Sequence, residues 1–175
     1  GHSTILTGKH PNKTGIPAND WLDPTTGQNV YCLSAPANTI AGGASGLPVG
    51  PDNLRATTLG DWLKDSPNPG KVFAISGKDR GAINLAGHKA DGVFWYREGF
   101  GFTTYVEPGQ DGDARLAAVK GINAELKARF VAKPPSWSYQ NPYCRTLERD
   151  YQVGDVIFRA QVPPAQLDQL RRRHA

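Results

Sequence analysis

Methionine is absent from the 175 residues of this sequence, and long hydrophobic runs are absent too. Because the chain opens Gly1-His2-Ser3-Thr4 without an initiating methionine, we expect that something has been removed upstream. Apolar runs such as residues 72–75 are far shorter than the roughly 18 residues that a membrane-spanning helix requires. We therefore expect a soluble chain with no membrane span.

Cysteine is scarce, with two residues in the whole chain. Cys32 and Cys144 are 112 positions apart and fit no metal-binding spacing. They can form one long-loop disulfide in an oxidising compartment, or they can be two buried thiols. The sequence leaves both possibilities open.

Signatures of metal and serine hydrolases are also lacking. The four histidines are scattered and form no His-x-x-x-His or Asp-x-x-x-His pair, whereas two divalent ions need about six His or Asp ligands. No Gly-x-Ser-x-Gly turn is present. The glycine-rich residues 42–46 lack the Gly-Lys-Ser/Thr of a phosphate loop, so we predict a flexible loop there.

The composition that remains is that of one globular domain. Hydrophobic residues make up 38% of the chain and charged residues 21%, and the net charge of +4 favours anionic ligands in general. The densest basic run, residues 171–173, has no aromatic residues interleaved with it. It indicates a solvated helix end rather than a surface for nucleic acid.

Short elements separated by turns are predicted in the first third of the chain. Residues 2–7 are typical of the last turns of a helix that stops at Gly8, and residues 9–20 are typical of a loop. Residues 21–33 predict a hairpin. A long connection over residues 34–52 and a helix over residues 53–64 follow.

The most informative segment combines a strand with charged residues at its end. Residues 72–76 form a continuous apolar run with β-branched residues, which predicts a fully buried strand in an α/β sheet. Ligand sites in such sheets lie at the carboxyl ends of strands, and here that end delivers Lys78-Asp79-Arg80.

On an extended backbone, Lys78 and Arg80 point to one side and Asp79 to the other. Arginine can hold two phosphate oxygens and lysine adds a mobile charge, although a solvated charge pair is the simpler interpretation.

Asn19 is a second candidate for contact with an anion. It lies in a loop rich in glycine, proline and asparagine, and its amide can donate a hydrogen bond to a phosphate oxygen. An ordinary turn asparagine is the alternative. From spacing alone, the sequence indicates an α/β domain that can bind an anion.

The rest of the chain predicts a hairpin, a helix and a less regular end. Residues 92–97 and 101–106 form the hairpin, and residues 113–130 form an amphipathic helix of about four turns. An aromatic segment with Trp137, Tyr139 and Tyr143 follows. A strand over residues 155–160 and a short helix from about Pro163 end the chain.

Two blocks of sequence resemble one known family. The first runs Gly1-His2-Ser3-Thr4-Ile5-Leu6-Thr7-Gly8-Lys9-His10-Pro11, then Thr14-Gly15-Ile16, Asn19-Asp20-Trp21-Leu22-Asp23, Gly27 and Val30-Tyr31-Cys32. The second runs Ile75-Ser76-Gly77-Lys78-Asp79-Arg80-Gly81-Ala82-Ile83, then Ala86-Gly87-His88 and Val93-Phe94-Trp95-Tyr96.

Both blocks are similar to the alkaline phosphatase superfamily. The likeness is strongest to its periplasmic, phosphate-irrepressible branch with a threonine nucleophile, which is related to nucleotide pyrophosphatase/phosphodiesterases. The blocks occur in the same order and at roughly the family's separation, and they cover residues 1–106.

The resemblance implies roles for three residues. Asn19, Lys78 and Arg80 would contact the phosphoryl group, with the two cations favouring monoesters by engaging oxygens that a diester lacks. Asn19, Lys78 and Arg80 are thus the predicted catalytic and substrate-binding residues, and no metal ligand is predicted within the chain. The family's threonine nucleophile would precede Gly1, and Thr4 and Thr7 match helix positions instead.

The resemblance also implies a reaction and a setting for the parent protein. Phosphate monoesters would be hydrolysed through a phosphothreonine intermediate with two zinc ions, whose ligands lie outside this chain. The chain alone is expected to be inactive, as an internal fragment. The parent would be periplasmic or secreted, with a phosphate monoester and the rest of its own polypeptide as partners, and without nucleic acid.

The implied fold is α/β, part of an alkaline-phosphatase-like sandwich with a central, mostly parallel sheet and inserted hairpins and cap elements. Residues 1–106 would form a catalytic-core segment, and residues 107–175 a helix and an inserted or cap segment of the same partial domain. Two alternatives stay open: a phosphodiesterase or nucleotide pyrophosphatase of the same superfamily, and a non-catalytic module that binds anions.

Overall fold

The structure of the protein is a computed structural model that describes residues 1–132 and 139–158. The chain divides into two compact units, Gly1–Gly121 and Ile122–Ala175. The three candidate site residues Asn19, Lys78 and Arg80 all belong to the first unit.

A β-α-β arrangement forms the centre of the first unit. Strand β4 (Phe73–Ser76) pairs in parallel with β5 (Gly92–Arg97), and helix α4 (Asp79–Ala86) connects them. Parallel strands need such a crossover because a tight turn cannot join them. Strand β6 (Gly101–Thr103) extends the sheet antiparallel to β5. The predicted α/β class is confirmed.

The hydrophobic core of the first unit includes one face of α4 and the central strand β5. Its buried members are Cys32, Leu33, Val49, Ala82, Ile83, Ala86, Val93, Trp95 and Tyr105. Burial of apolar surface contributes roughly 25 cal/mol per Å². This core therefore fixes α4, and with it the charged residues at the start of that helix.

Strand β4 departs from the prediction of a fully buried strand. Its burial alternates: Phe73 and Ile75 are 58% and 61% exposed, whereas Ala74 packs against the core. The reason is its place at the edge of the strand order β4-β5-β6. Alternate residues of a strand point to opposite faces, and α4 contacts the face that holds Ala74.

The predicted hairpin near the start of the chain is confirmed. Strand β1 (Asp20–Leu22) pairs antiparallel with β2 (Asn29–Tyr31), with Asp20 opposite Tyr31. The carboxylate of Asp23 accepts the N–H of Thr25 at 2.7 Å and holds the turn between the strands.

Helix α1 (His2–Thr7) ends at Gly8 in the left-handed conformation, as predicted. The prediction of a loop over residues 9–20 is wrong in part, because helix α2 (Pro11–Thr14) interrupts it. A proline at the first helical position and a left-handed Gly15 after the end favour this single turn.

Helix α3 (Leu59–Lys64) is half the length predicted over residues 53–64. It starts where Thr58 and Asp61 form reciprocal side-chain caps, which fix the first turn. Leu54 is buried outside the helix, so its helical spacing from Thr58 was coincidental.

The β5–β6 hairpin is confirmed, but the second predicted strand divides. Strand β7 (Tyr105–Val106) pairs with β3 (Thr39–Ile40) rather than continuing β6. The predicted connection over residues 34–52 therefore contains β3 and a 3₁₀ turn, Ala41–Gly43.

Helix α5 (Gly112–Leu126) confirms the predicted helix, and a π-helical segment, Lys127–Val131, follows it. The burial of the α5 side chains does not show the expected amphipathic pattern. Val119 is its buried position, whereas Ile122 is 45% exposed. Within the described ranges, no helix combines the length and the apolarity needed to cross a membrane.

The second unit contains helix α6 (Pro142–Thr146) and a hairpin of β8 (Tyr151–Val153) with β9 (Val156–Phe158). The predicted strand over residues 155–160 is confirmed where it is described. Trp137, the helix predicted from Pro163 and the basic run lie outside the described residues. Of the two thiols, Cys32 is buried and Cys144 is exposed, and both are free.

Candidate anion-binding site

The candidate cations lie where β4 ends and α4 begins. Lys78 is the residue before the helix, with an extended backbone (φ −139°, ψ 147°), and its carbonyl accepts the N–H groups of Gly81 and Ala82. Its side chain is exposed, and among the described residues it forms no ion pair. Lys78 therefore presents a free ammonium beside the first turn of α4.

The prediction that Asp79 faces away from Lys78 and Arg80 is wrong. Asp79 and Arg80 already have helical conformation, so two-residue alternation does not apply to them. One carboxylate oxygen of Asp79 accepts the backbone N–H of Arg80 at 2.8 Å. The carboxylate lies beside the arginine and helps to fix it.

Tyr31 joins these two residues to the hairpin. Its hydroxyl donates to Oδ2 of Asp79 at 2.8 Å and accepts from Nη1 of Arg80 at 2.9 Å. The guanidinium carbon lies 5.7 Å from the centre of the Tyr31 ring. Arg80 is thus held at its head group by a residue 49 positions away.

Burial and these contacts set the charges at the site. Burial raises the pKa of Tyr31 well above its usual value, and the hydrogen bond to Asp79 adds to this. Burial acts to lower the pKa of Arg80, but the hydrogen bond with Tyr31 and the nearby charge of Asp79 together outweigh it, and the net shift of the pKa is upward. A neutral phenol and a charged guanidinium are therefore the stable forms.

Cys32, the residue that follows β2, is not a reactive thiol. Burial raises its pKa to about 11, against a smaller lowering by the charge of Arg80. The thiol belongs to the core and has no role as a nucleophile.

Asn19 lies one strand away from Tyr31. It is exposed in the bend before β1, and its carbonyl accepts the N–H of Cys32 at 2.8 Å. That bond places the backbone of Asn19 beside the end of β2, which carries Tyr31. Arg80 and Asn19 are thereby connected to the same stretch of β2.

Two contacts that the sequence does not reveal support this end of β2 and of β4. The amide of Asn53 donates to the carbonyls of Tyr31 and Cys32 at 3.2 and 3.4 Å. In α4, Gly81 leaves no room for a Cβ, because the side chain of Ser76 occupies that space. The contacts of Asn53 link segments that are distant in sequence. The close approach of Gly81 and Ser76 depends on the turn between β4 and α4.

A second polar cluster surrounds Asp61 at the start of α3. This carboxylate is fully buried and accepts N–H groups from Thr58, His88 and Lys89 at 2.8, 2.8 and 2.9 Å. Burial acts to raise its pKa, but these hydrogen bonds outweigh it and lower the pKa. The cluster has no free cation and serves to join α3 to the loop after α4.

Potential metal ligands are dispersed in the described part of the chain. There, no group of three or more His, Cys, Asp or Glu side chains is arranged to hold a metal ion. The paired Asp61 and His88 are two residues already bonded to each other and to backbone groups.

The chain matches one family model and several curated proteins. The family model described as type I phosphodiesterase/nucleotide pyrophosphatase matches residues 1–167. The chain is 38% identical over 141 residues to alkaline phosphatase PhoK of Sphingomonas sp, which covers 78% of this chain and 24% of the relative. It is 44% identical over 99 residues to alkaline phosphatase PhoV of Synechococcus elongatus, covering 55% and 18%.

Two solved structures have a similar fold. Wild-type alkaline phosphatase PafA matches 82% of this chain and 28% of its own, with 32% identity and a TM-score of 0.64. A PafA variant matches 97% of this chain and 34% of its own, with 26% identity and a TM-score of 0.70. In that variant one threonine is replaced by serine, and one asparagine, one lysine and one arginine are replaced by alanine.

These matches confirm the resemblance found in the sequence and set its extent. The chain spans about a fifth of the length of the curated relatives it matches, 18% of PhoV and 24% of PhoK. The family model, by contrast, covers nearly all of this chain. The chain belongs to the type I phosphodiesterase/nucleotide pyrophosphatase family.

Proposed function

We propose that the protein hydrolyses phosphate monoesters and that Asn19, Lys78 and Arg80 bind the phosphoryl group. The observation that carries the proposal is the guanidinium of Arg80, which donates to the hydroxyl of Tyr31 and belongs to the first turn of α4, the helix that the exposed Lys78 precedes. Two cations at the end of a strand suit an oxyanion, because arginine can bind two phosphate oxygens and lysine adds a point charge.

The named relatives support the same assignment. They are called alkaline phosphatases. The lysine and arginine replaced in the PafA variant are two positions apart, as are Lys78 and Arg80. The asparagine replaced in that variant precedes its lysine by 62 positions, and Asn19 precedes Lys78 by 59.

In this proposal the three residues act on the nonbridging oxygens. Arg80 and Lys78 neutralise charge that remains on these oxygens during transfer, and the Asn19 amide donates a further hydrogen bond. A diester has one oxygen fewer to offer, so the same contacts favour a monoester.

The proposal extends to a threonine nucleophile, two zinc ions and a periplasmic or secreted location for the whole protein. Because the described residues contain no set of metal ligands, they do not fit a resident zinc ion, and no step through zinc is assigned to them. Metal analysis and cell fractionation of the full-length protein test these parts.

The decisive experiment compares a monoester and a diester with the same leaving group, using the full-length protein. Replacement of Lys78 or Arg80 by Ala is expected to lower kcat/KM for the monoester about 100-fold, as loss of one donor to a transition-state oxyanion does. The effect on the diester should be much smaller. Equal losses on both substrates would contradict the assigned role.

Lys71→Ala is the matched control for lost charge. Lys71 is exposed and pairs with Asp91, which also binds Lys64, so its loss should leave both activities unchanged.

A diesterase is the second candidate, favoured by the description of the matching family. Higher kcat/KM for the diester in the unmodified protein would support it over the monoesterase.

A further inference from the structure

Arg80 is held by residues that the proposed phosphoryl contacts do not include. Its guanidinium donates from Nη1 to the hydroxyl of Tyr31, and that hydroxyl donates to Asp79. Asp79 in turn accepts the backbone N–H of Arg80. The three residues form a closed set of contacts between β2 and the first turn of α4.

This arrangement limits the freedom of the arginine without consuming its donors. An arginine side chain has about 2 kcal/mol of rotamer entropy and five N–H donors. The bond to Tyr31 engages one terminal nitrogen. Within the described residues no other hydrogen bond to the guanidinium is found, so its remaining donors can bind an anion, and the bond to Tyr31 restricts the side chain before the anion arrives.

The hydroxyl of Tyr31 can keep its hydrogen bonds to Asp79 and Arg80 under alkaline conditions. Its hydroxyl must be protonated to donate to Asp79, and an ordinary phenol loses its proton with a pKa near 10. Burial raises the pKa of Tyr31 above that value. Its ring also packs against the hydrophobic core, and Asn53 bonds to its carbonyl, so the hydroxyl is presented from a fixed support.

We propose that Tyr31, supported by Asp79, is a positioning residue that orients the guanidinium of Arg80 for a tetrahedral oxyanion with several free oxygens. The proposal rests on the proposed function, in which Arg80 contacts the phosphoryl group. It assigns to Tyr31 a share in the preference for monoesters although Tyr31 itself does not touch the substrate.

The test is a double-mutant cycle in the full-length protein with Tyr31→Phe and Arg80→Ala. Phe keeps the ring and removes the hydroxyl. Loss of a hydrogen bond to a charged group changes an equilibrium or rate constant by about tenfold. Tyr31→Phe should therefore lower kcat/KM for a phosphate monoester about tenfold. In the Arg80→Ala background it should have almost no effect, because the group it orients is gone.

Two further readouts separate positioning from a general structural role. Hydrolysis of the matched diester should change less than twofold in Tyr31→Phe, and inorganic phosphate should inhibit monoester hydrolysis about tenfold more weakly. Asp79→Asn, which removes the charge and keeps an acceptor, should give a loss in the same direction of about threefold.

Tyr105→Phe is the matched control. Tyr105 is a buried tyrosine of the same unit with an arginine, Arg115, 5.6 Å from its ring centre. Removing its hydroxyl should leave the monoester and diester activities unchanged. A comparable loss in this control would overturn the proposal.

The outcomes separate the two proposals. If Arg80→Ala impairs monoester hydrolysis but Tyr31→Phe has no effect, or has the same effect with and without Arg80, the positioning role is wrong and the proposed function stands. If Arg80→Ala has no effect, the proposed function fails at that residue.

A crystal structure of the Tyr31→Phe protein tests the positioning role independently of the proposed function. A displaced or multiple orientation of the Arg80 side chain would support it, and one unchanged orientation would overturn it.

Discussion

Helices α3 and α4 both begin with an aspartate in their first turn, yet the two aspartates differ in what surrounds them. Asp61 is fully buried and receives hydrogen bonds from three backbone N–H groups, the hydroxyl of Thr58 and the ring of His88. Asp79 is partly exposed and uses one oxygen for its own helix and the other for Tyr31.

These surroundings separate a structural cluster from a candidate binding site. Around Asp61 the acceptors and donors satisfy one another, and no charge is left for a ligand. Around Asp79, within the described residues, the guanidinium of Arg80 has one hydrogen bond, to Tyr31, and the exposed Lys78 directly precedes Asp79 in the chain. A helix start with a perturbed carboxylate is therefore not by itself a functional site.

Asp61→Ala is the substitution with the largest expected effect on stability. It leaves several buried N–H groups without acceptors, which should lower the free energy of unfolding by about 4 kcal/mol. Denaturant unfolding followed by circular dichroism measures it. Asp65→Ala, which removes an exposed carboxylate paired with Lys89, should cost less than about 0.5 kcal/mol. Similar losses of unfolding free energy in the two variants would contradict the structural role of Asp61.

Gly87→Ala should disturb the same cluster from the other side. Gly87 has φ 79°, and a Cβ there would collide with the hydroxyl of Thr58 and the carboxylate of Asp61. The expected loss of stability is about 2–3 kcal/mol. Gly99→Ala, at φ 74° with open space around it, isolates the backbone strain and should cost about 1 kcal/mol. Equal decreases in Tm for the two variants would show that neighbouring atoms move away and that the collision at Gly87 costs no stability.

The pH dependence of stability gives a third comparison. The pKa of Asp61 is lower in the folded protein than the value near 3.9 of an unfolded chain, so its stabilisation is complete above that value. It is lost as the pH falls below about 4 and through the lowered folded pKa. The difference in unfolding free energy between the unmodified protein and Asp61→Asn should therefore narrow in acid.

Asp91 is the reference for that measurement. Hydrogen bonds from the backbone of Val72 and from the ammonium of Lys64 hold the pKa of Asp91 at about 2, but its carboxylate lies near the surface. Asp91→Asn should show the same acid trend with a smaller amplitude. A constant difference for Asp61→Asn from pH 6 to pH 2 would contradict the assignment.

Asp79→Ala is expected to have the smallest effect on stability, about 1 kcal/mol or less, because its hydrogen bonds are only partly buried. Its main effect should be on monoester hydrolysis, through the freed Arg80. The comparison with Asp61→Ala sharpens the distinction between the two helix starts. A loss of stability as large as that of Asp61→Ala would contradict the distinction between the two helix starts.

Local signals in the sequence predicted the elements that carry the site. The glycine after α1, the turn between β1 and β2 and the apolar run of β4 each act over a few residues. The sequence predicts these elements correctly, although β4 is half exposed rather than fully buried. The helix predicted over residues 53–64 was too long because the capping pair of Thr58 and Asp61 sets its start.

The contacts that complete the site could not be predicted in the same way. Tyr31 meets Asp79 across 48 positions and Arg80 across 49, and no local pattern marks such a pair. The predicted orientation of Asp79 is wrong because α4 starts at Asp79, two residues earlier than an extended Lys78-Asp79-Arg80 triplet allows. The roles of Asn19, Lys78 and Arg80 came from the family resemblance and remain predictions that the variants above test.

The buried thiol beside Tyr31 offers a built-in reporter for this region. Cys32 is 1% exposed and stays protonated at neutral pH, whereas Cys144 is exposed. A thiol reagent will therefore modify Cys144 first, and the slow modification of Cys32 will measure how often β2 opens. The labelling rate of Cys32, compared with and without bound phosphate, would measure the rigidity of the strand that carries Tyr31, independently of turnover.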